Sequence, residues 1–197
     1  MQALNEFIIH VPKKYNDQWT SESGMKWYLS EFHNKRELAN VEVEVISTPL
    51  KLKTDIEKGD TLLIDIVSIL DSQQYKFGNT GNHLTVDRKK GIYRVPKDLV
   101  LLYKKKDSAK WNCFQDKVVL EEIVEEVKQS SIIISDVRQK KKSKNTGIVR
   151  VLNEDLKEQG VNIGDKVMFD SRTNIDFYLE GKKHMWTKTR YILASLV

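Results

Sequence analysis

Four aspartates recur at matching places in this sequence and are the first candidates for chemistry. Asp60 and Asp65 bracket the run Thr61 to Ile64, Asp165 and Asp170 bracket Lys166 to Phe169, and each leading Asp follows a glycine, Gly59 or Gly164. Paired carboxylates can serve as general acid and base when their surroundings push their pKa values apart. These, however, sit directly after a Gly turn or at the end of a short apolar run, where Asp normally accepts backbone N–H groups and closes the turn. The expectation is turn capping and no catalytic residue. His10, His33, His83 and His184 show no ligand spacing, and none lies near Cys113, the single cysteine. A zinc site needs three or four ligands converging on one ion, so no metal is expected. Gly-x-Ser-x-Gly, a phosphate-binding glycine loop and His-Glu-x-x-His are all absent, so neither an enzyme nor a cofactor is expected.

What remains is binding chemistry. Ile132, Ile133 and Ile134 stand between Gln129-Ser130-Ser131 and Ser135-Asp136, with the basic run Arg138 to Lys144 beyond. From the residues alone, such a triplet is either a buried core strand or an apolar tip that docks elsewhere. Met25, Trp27, Tyr28 and Leu29 form a second tract whose aromatics are of the kind that anchors interfaces, or equally a core or self-association contact. The chain has 197 residues, a net charge of +5 and a pI of about 9.1, with lysines in bursts at Arg88-Lys89-Lys90, Lys104 to Lys106 and Lys140 to Lys142. That balance raises nucleic acid as a partner. The bursts fall at turn and linker signals and no RNA-recognition or zinc-finger motif accompanies them, so nucleic acid is the lesser reading.

The elements that must carry these residues are read from a repeat. Asp55-Ile-Glu-Lys-Gly59-Asp60-Thr-Leu-Leu-Ile64-Asp65 parallels Gly160-Val-Asn-Ile-Gly164-Asp165-Lys-Val-Met-Phe169-Asp170 roughly half a chain later. Each copy follows a β-branched run, Val41 to Ile46 or Ile148 to Leu152, and is closed by a hydrophobic strand, Leu99 to Tyr103 or Tyr191 to Leu196. The period-2 alternation of Val41, Val43 and Val45 with Glu42 and Glu44 is that of a half-buried strand. Val119 to Val127 fits a helical face as well as a strand, and the density of Val and Ile favours the strand. Asn153 to Gln159 could supply one helical turn. The fold class expected is all-β, two tandem small β-barrels, residues 1–109 and 110–197, with Lys104 to Lys110 as the linker and Ile66 to Lys90 as an insertion in the first. No stretch approaches a membrane span and no signal-peptide pattern opens the chain. A lone cysteine points to a reducing, cytoplasmic setting.

The second half resembles the GroES-like co-chaperonins. The resemblance rests on Asp116-Lys-Val-Val-Leu120, Ser130-Ser131-Ile132-Ile133-Ile134, Gly147-Ile-Val-Arg-Val151, Val161-Asn-Ile-Gly164-Asp165-Lys-Val-Met-Phe169 and Tyr191-Ile192-Leu193-Ala194, in the family's order and approximate spacing. Ser130-Ser131 stand where the family usually has Gly-Gly, and Tyr191 replaces its closing acidic residue. The segment from Leu152 to Val161 is short, so the roof hairpin of bacterial members is not expected. The first half follows the pattern only in outline, and its tandem placement resembles plastid co-chaperonins.

The resemblance implies two GroES-like domains and a flexible loop whose Ile132, Ile133 and Ile134 dock on a GroEL-type chaperonin, with Met25, Trp27, Tyr28 and Leu29 as a second docking tract. It implies a homo-oligomeric ring in which first strands (Phe7, Ile8, Ile9) pair with last strands (Ile192, Leu193) of neighbours, and unfolded client proteins inside the capped chamber. The competing classes are a structural ring or virion component and a basic nucleic-acid-binding barrel.

Overall fold

The computed structural model describes residues 2–13, 15, 18–28, 41–65, 68–69, 84–125 and 141–196. The chain divides into two compact units, Met1–Phe114 and Gln115–Val197, and the regular structure of its described residues is strand apart from one short α-helix and two 3-10 turns. Each unit is built on one main antiparallel sheet around its own apolar cluster, so the protein is all-β with two small barrel-like domains in tandem.

The first unit contains β1 (Phe7–His10), β2 (Gln18–Thr20), β3 (Lys26–Tyr28), β4 (Glu42–Ser47), β5 (Thr61–Ile64), β6 (Thr85–Asp87), β7 (Ile92–Val95), β8 (Val100–Lys104) and β9 (Asn112–Cys113). Its main sheet runs β6-β7-β1-β4-β5-β8-β9, and β2-β3 is a separate hairpin. The second unit contains β10 (Lys117–Glu125), β11 (Lys141–Val151), α1 (Glu154–Glu158), β12 (Lys166–Phe169), β13 (Ile175–Leu179), β14 (Lys182–Lys188) and β15 (Ile192–Ser195), in the order β13-β14-β10-β11-β12-β15. The two orders coincide strand for strand, except that β9 has been added beside β8.

The cores follow from the sequence pattern. In β4 the alternation puts Val43 and Val45 inside and Glu42 and Glu44 out. Phe7 and Ile9 of β1, Leu62 and Ile64 of β5, and Tyr93 and Val95 of β7 complete the first cluster. Val118, Leu120, Val149, Val167 and Phe169 fill the corresponding places in the second, where α1 adds Leu156. That single helical turn starts at Asn153, whose side chain accepts the Leu156 amide at 3.1 Å and donates to the Gln115 carbonyl and Thr189 Oγ1. β10 is a strand, as the Val and Ile density favours.

The Gly-Asp turns are built alike. Gly59 and Gly164 have φ of +91° and +97°, a region that disfavours any side chain. Asp60 Oδ2 accepts the Glu57 amide at 2.8 Å, and Asp165 Oδ2 accepts the Asn162 amide at 2.8 Å. Val45 then donates to Asp60 O and Val149 to Asp165 O, both at 2.9 Å. These aspartates shape backbone, as their position after glycine suggests.

Two expectations are corrected. Residues 110–114 pack with the first unit, not the second: β9 pairs with β8 through Leu102↔Cys113 and Tyr103↔Asn112, and Trp111 and Phe114 are buried. Phe114 meets Phe7 edge to face, ring centroids 5.8 Å apart. The lysine run before them looks like a linker, but the apolar residues after it still belong to the first core. Second, β1 is no edge strand. It pairs with β7 on one side and β4 on the other, and Phe7, Ile8 and Ile9 are buried. No edge of β1 is open to a neighbouring copy. Of the segment expected as an insertion, Ile66 to Lys90, residues 68–69 and 84–90 are described: Ile69 reaches the core, and Thr85–Asp87 form β6, which stands where β13 stands in the other sheet.

Candidate docking connections and sheet edge

The sequence-predicted docking residues fall in two connections that hold the same place in the strand order. Ile132, Ile133 and Ile134 belong to the β10–β11 connection, residues 126–140, and lie outside the described residues. The strands that frame it, β10 and β11, are paired as far as Val124↔Lys142 and Glu125↔Lys141. Met25, Trp27, Tyr28 and Leu29 belong to the β1–β4 connection. The β2–β3 hairpin lies in it, with Trp19 opposite Trp27 and Gln18 opposite Tyr28. Its turn is closed by Ser21, whose amide donates to Met25 O at 2.9 Å and whose Oγ accepts the Met25 amide at 3.1 Å. Gly24 supplies the positive φ, and Met25 is 56% exposed. Leu29 lies outside the described residues.

The remaining predicted residues concern the sheet ends. Ile192 is half-buried against the second core, while Leu193 is 62% exposed on β15, the terminal strand of its sheet. The first unit shows what the same edge looks like when covered. β5 pairs with β8 through Leu63↔Leu102 and Ile64↔Val100, and β12 pairs with β15 through Met168↔Ala194 and Phe169↔Ile192. Both ladders slip at the same step, so Leu101 and Leu193 are the corresponding extra residues. Leu101 is 2% exposed, and its carbonyl accepts the Phe114 amide at 3.1 Å. Sequence reasoning missed this cover, although the apolar Trp111 and Phe114 beside a short strand were a usable signal.

Elsewhere the charged groups are engaged structurally. Asp60 is 3% exposed and also accepts the Lys106 amide at 3.1 Å and Lys105 Nζ at 3.2 Å. Asp170 is gripped by Arg172, with Nε and Nη2 at 3.0 and 2.8 Å and the Arg172 amide at 3.1 Å. These bonds hold its carboxyl down at about 2. A carboxylate fixed in that way stays ionised at neutral pH and is no proton shuttle. Among the described residues no three His, Cys, Asp or Glu side chains converge as a metal site would require, and no helix is long and apolar enough to cross a membrane.

Comparison with known proteins agrees with the second sheet. No curated protein matches the chain. Residues 110–196 match the family model described as Chaperonin 10 Kd subunit (Cpn10). The match spans the second unit and the β9 stretch before it. That part of the chain is similar to the GroES-type co-chaperonins, a family of chaperone components that are not enzymes and that act with a chaperonin partner.

Proposed function

We propose that this protein is a tandem co-chaperonin that caps a GroEL-type chaperonin ring and confines client proteins while the partner spends ATP. The observation that carries this reading is the Cpn10 match over 110–196. In it, Ile132, Ile133 and Ile134 form the docking tip of the β10–β11 connection. Burying three isoleucines in an apolar groove yields on the order of 4–8 kcal/mol gross. Fixing the surrounding stretch costs about 1–2 kcal/mol per residue ordered. A single tip therefore binds weakly, and several on one ring turn weak contacts into a releasable cap, because each later docking is intramolecular.

The first unit is read as a second domain of the same kind. The coincidence of strand orders and the twin Gly-Asp turns support it. Met25, Trp27, Tyr28 and Leu29 then become a second docking tract, because their connection stands where the β10–β11 connection stands in the other sheet. For assembly, the open edge of β15 is assigned to strand addition by another copy. The occupant is the stretch leading into β1 of that copy, just as β9, the stretch leading toward β10, occupies β8. In the single chain the Ala3 amide is held by Ser47 Oγ instead.

Electron microscopy of the protein mixed with a chaperonin and ATP tests the reading. End-capped complexes are expected, and Ile133→Asp abolishes them while leaving the native mass unchanged. Capping by that variant at wild-type level removes Ile132 to Ile134 from the mechanism. The β15 edge equally serves a structural ring without a chaperonin, and uncapped rings in the same experiment establish that second reading.

A further inference from the structure

The stretch leading into β1 is engaged twice within its own chain. The Ala3 amide donates to Ser47 Oγ at 3.0 Å, and the Ala3 carbonyl accepts the Leu50 amide at 3.2 Å. Ala3 is 3% exposed, so the bonds are sheltered at that residue, yet Leu4 beside it is 61% exposed and Leu50 60%. The attachment is therefore light: one buried methyl group and two hydrogen bonds. The Glu6–Arg94 pair at 3.6 Å adds little, because both side chains are partly in water.

The second unit shows another use of the matched stretch. Phe7 and Ile9 face the first core as Val118 and Leu120 face the second. The pairs Ile8↔Ser47 and Val119↔Val151 both stand directly before a slip in register. Counted from these positions, Ala3 corresponds to Phe114 and Ser47 to Val151. A valine side chain offers no acceptor. The Phe114 amide donates to the Leu101 carbonyl on β8. Leu193 of β15 is the counterpart of Leu101, so the acceptor matched to the Ala3 amide is the Leu193 carbonyl of another copy. A backbone amide carries one hydrogen and cannot serve Ser47 Oγ and that carbonyl together.

We infer that Ser47 and Leu50 form an autoinhibitory latch, which keeps the stretch leading into β1 on its own chain and off the β15 edge of a neighbour. The inference rests on the strand-addition reading of β15 and adds the competing state within the single chain. Closed and open forms differ in which acceptor holds the Ala3 amide. The closed population lowers the apparent affinity between copies by the fraction it removes from the competent form. Two hydrogen bonds around one small side chain delay assembly without forbidding it.

The test compares Ser47→Val with Ser47→Thr in the full chain. The two new side chains have nearly the same shape and both suit a strand, but only Ser47→Thr keeps the hydroxyl acceptor. Circular dichroism and thermal melting establish that both variants are folded. Sedimentation over a concentration series reads the midpoint of assembly. Ser47→Val is expected to assemble at a concentration about threefold to tenfold below wild type, with Ser47→Thr close to wild type. A second arm combines Gln2→Cys and Ala194→Cys in a Cys113→Ser background, because these two positions match Cys113 and Leu102, which pair across β9 and β8. A mild oxidant is expected to link separate chains through that pair, and to do so faster once Ser47→Val is added. A midpoint for Ser47→Val equal to or above that of Ser47→Thr, with the cross-link intact, overturns the latch and leaves the β15 reading standing. Assembly without the cross-link, or single chains at every concentration in both variants, overturns the β15 reading and the latch with it.

Discussion

The last strands of the two sheets have the same neighbours, the same slip in register and opposite fates. On β8, Leu101 is buried and its carbonyl is paired to the stretch that includes β9, whereas on β15 the corresponding Leu193 lies in solvent. A sheet edge is a row of unmet hydrogen-bonding groups, and the described residues show both ways of handling it: cover supplied from within on β8, and none from the described residues on β15. The same contrast runs through the hairpins. The β6–β7 turn is locked to β1 by contact, while the β13–β14 turn stands clear.

Substitutions that act on matched positions measure these differences. The largest is expected at the hairpin tips. Gly91→Ala drives a methyl group into the Val11 carbonyl at positive φ and should cost on the order of 4 kcal/mol. Gly181→Ala, with open space around it, should cost about 1 kcal/mol from φ alone. Thermal denaturation that gives equal losses would mean that the contact at Gly91 contributes nothing. Next come the edges. Leu101→Ala should destabilise by about 3 kcal/mol, and Leu193→Ala by less than about 0.5 kcal/mol at protein concentrations too low for association. A substantial loss for Leu193→Ala in chemical denaturation would show that β15 is not bare in solution.

The turns differ more subtly. Asp60→Ala removes the acceptor for the Glu57 and Lys106 amides in a buried site, for about 2 kcal/mol. Asp165→Ala removes a partner for the Asn162 amide in an exposed bond, for about 1 kcal/mol. Reversal of that order in a denaturant series breaks the comparison. The smallest effect is electrostatic and belongs to the second unit. Asp170 titrates at about 2 instead of 3.8 because Arg172 binds its charged form. The stabilisation from this pair is complete above pH 3.8 and is lost as pH falls through 2. A carboxyl chemical-shift titration should find the low midpoint, and Arg172→Ala should return it toward 3.8.

Much of this was legible in the residues because it is local. Gly-Asp before an apolar run dictates a positive-φ turn with a capped amide, and both turns form as read. Val43 and Val45 declare a half-buried strand, and Asn153 followed by Leu156 declares a helix start. The unread features are non-local. Nothing near Asn112 and Cys113 says that they pair with Tyr103 and Leu102, since the intervening lysines look like a tether. Nothing near Gly91 says that Val11 O stands where its Cβ would be. The interior place of β1 was hidden for the same reason: hydrophobic density shows that a strand is buried, not which two strands flank it. The docking triplet was legible as chemistry only, because three isoleucines in a polar setting suit either a core or a tip.

The continuity of β9 with the first core has a practical consequence for cutting the molecule apart. A fragment ending at Ala109 forfeits Trp111 and Phe114 and leaves Leu101 at a raw border, so it should clump when expressed alone. One ending at Phe114 keeps its own hem. The five residues between those two end points decide whether the first half can be handled as a separate protein.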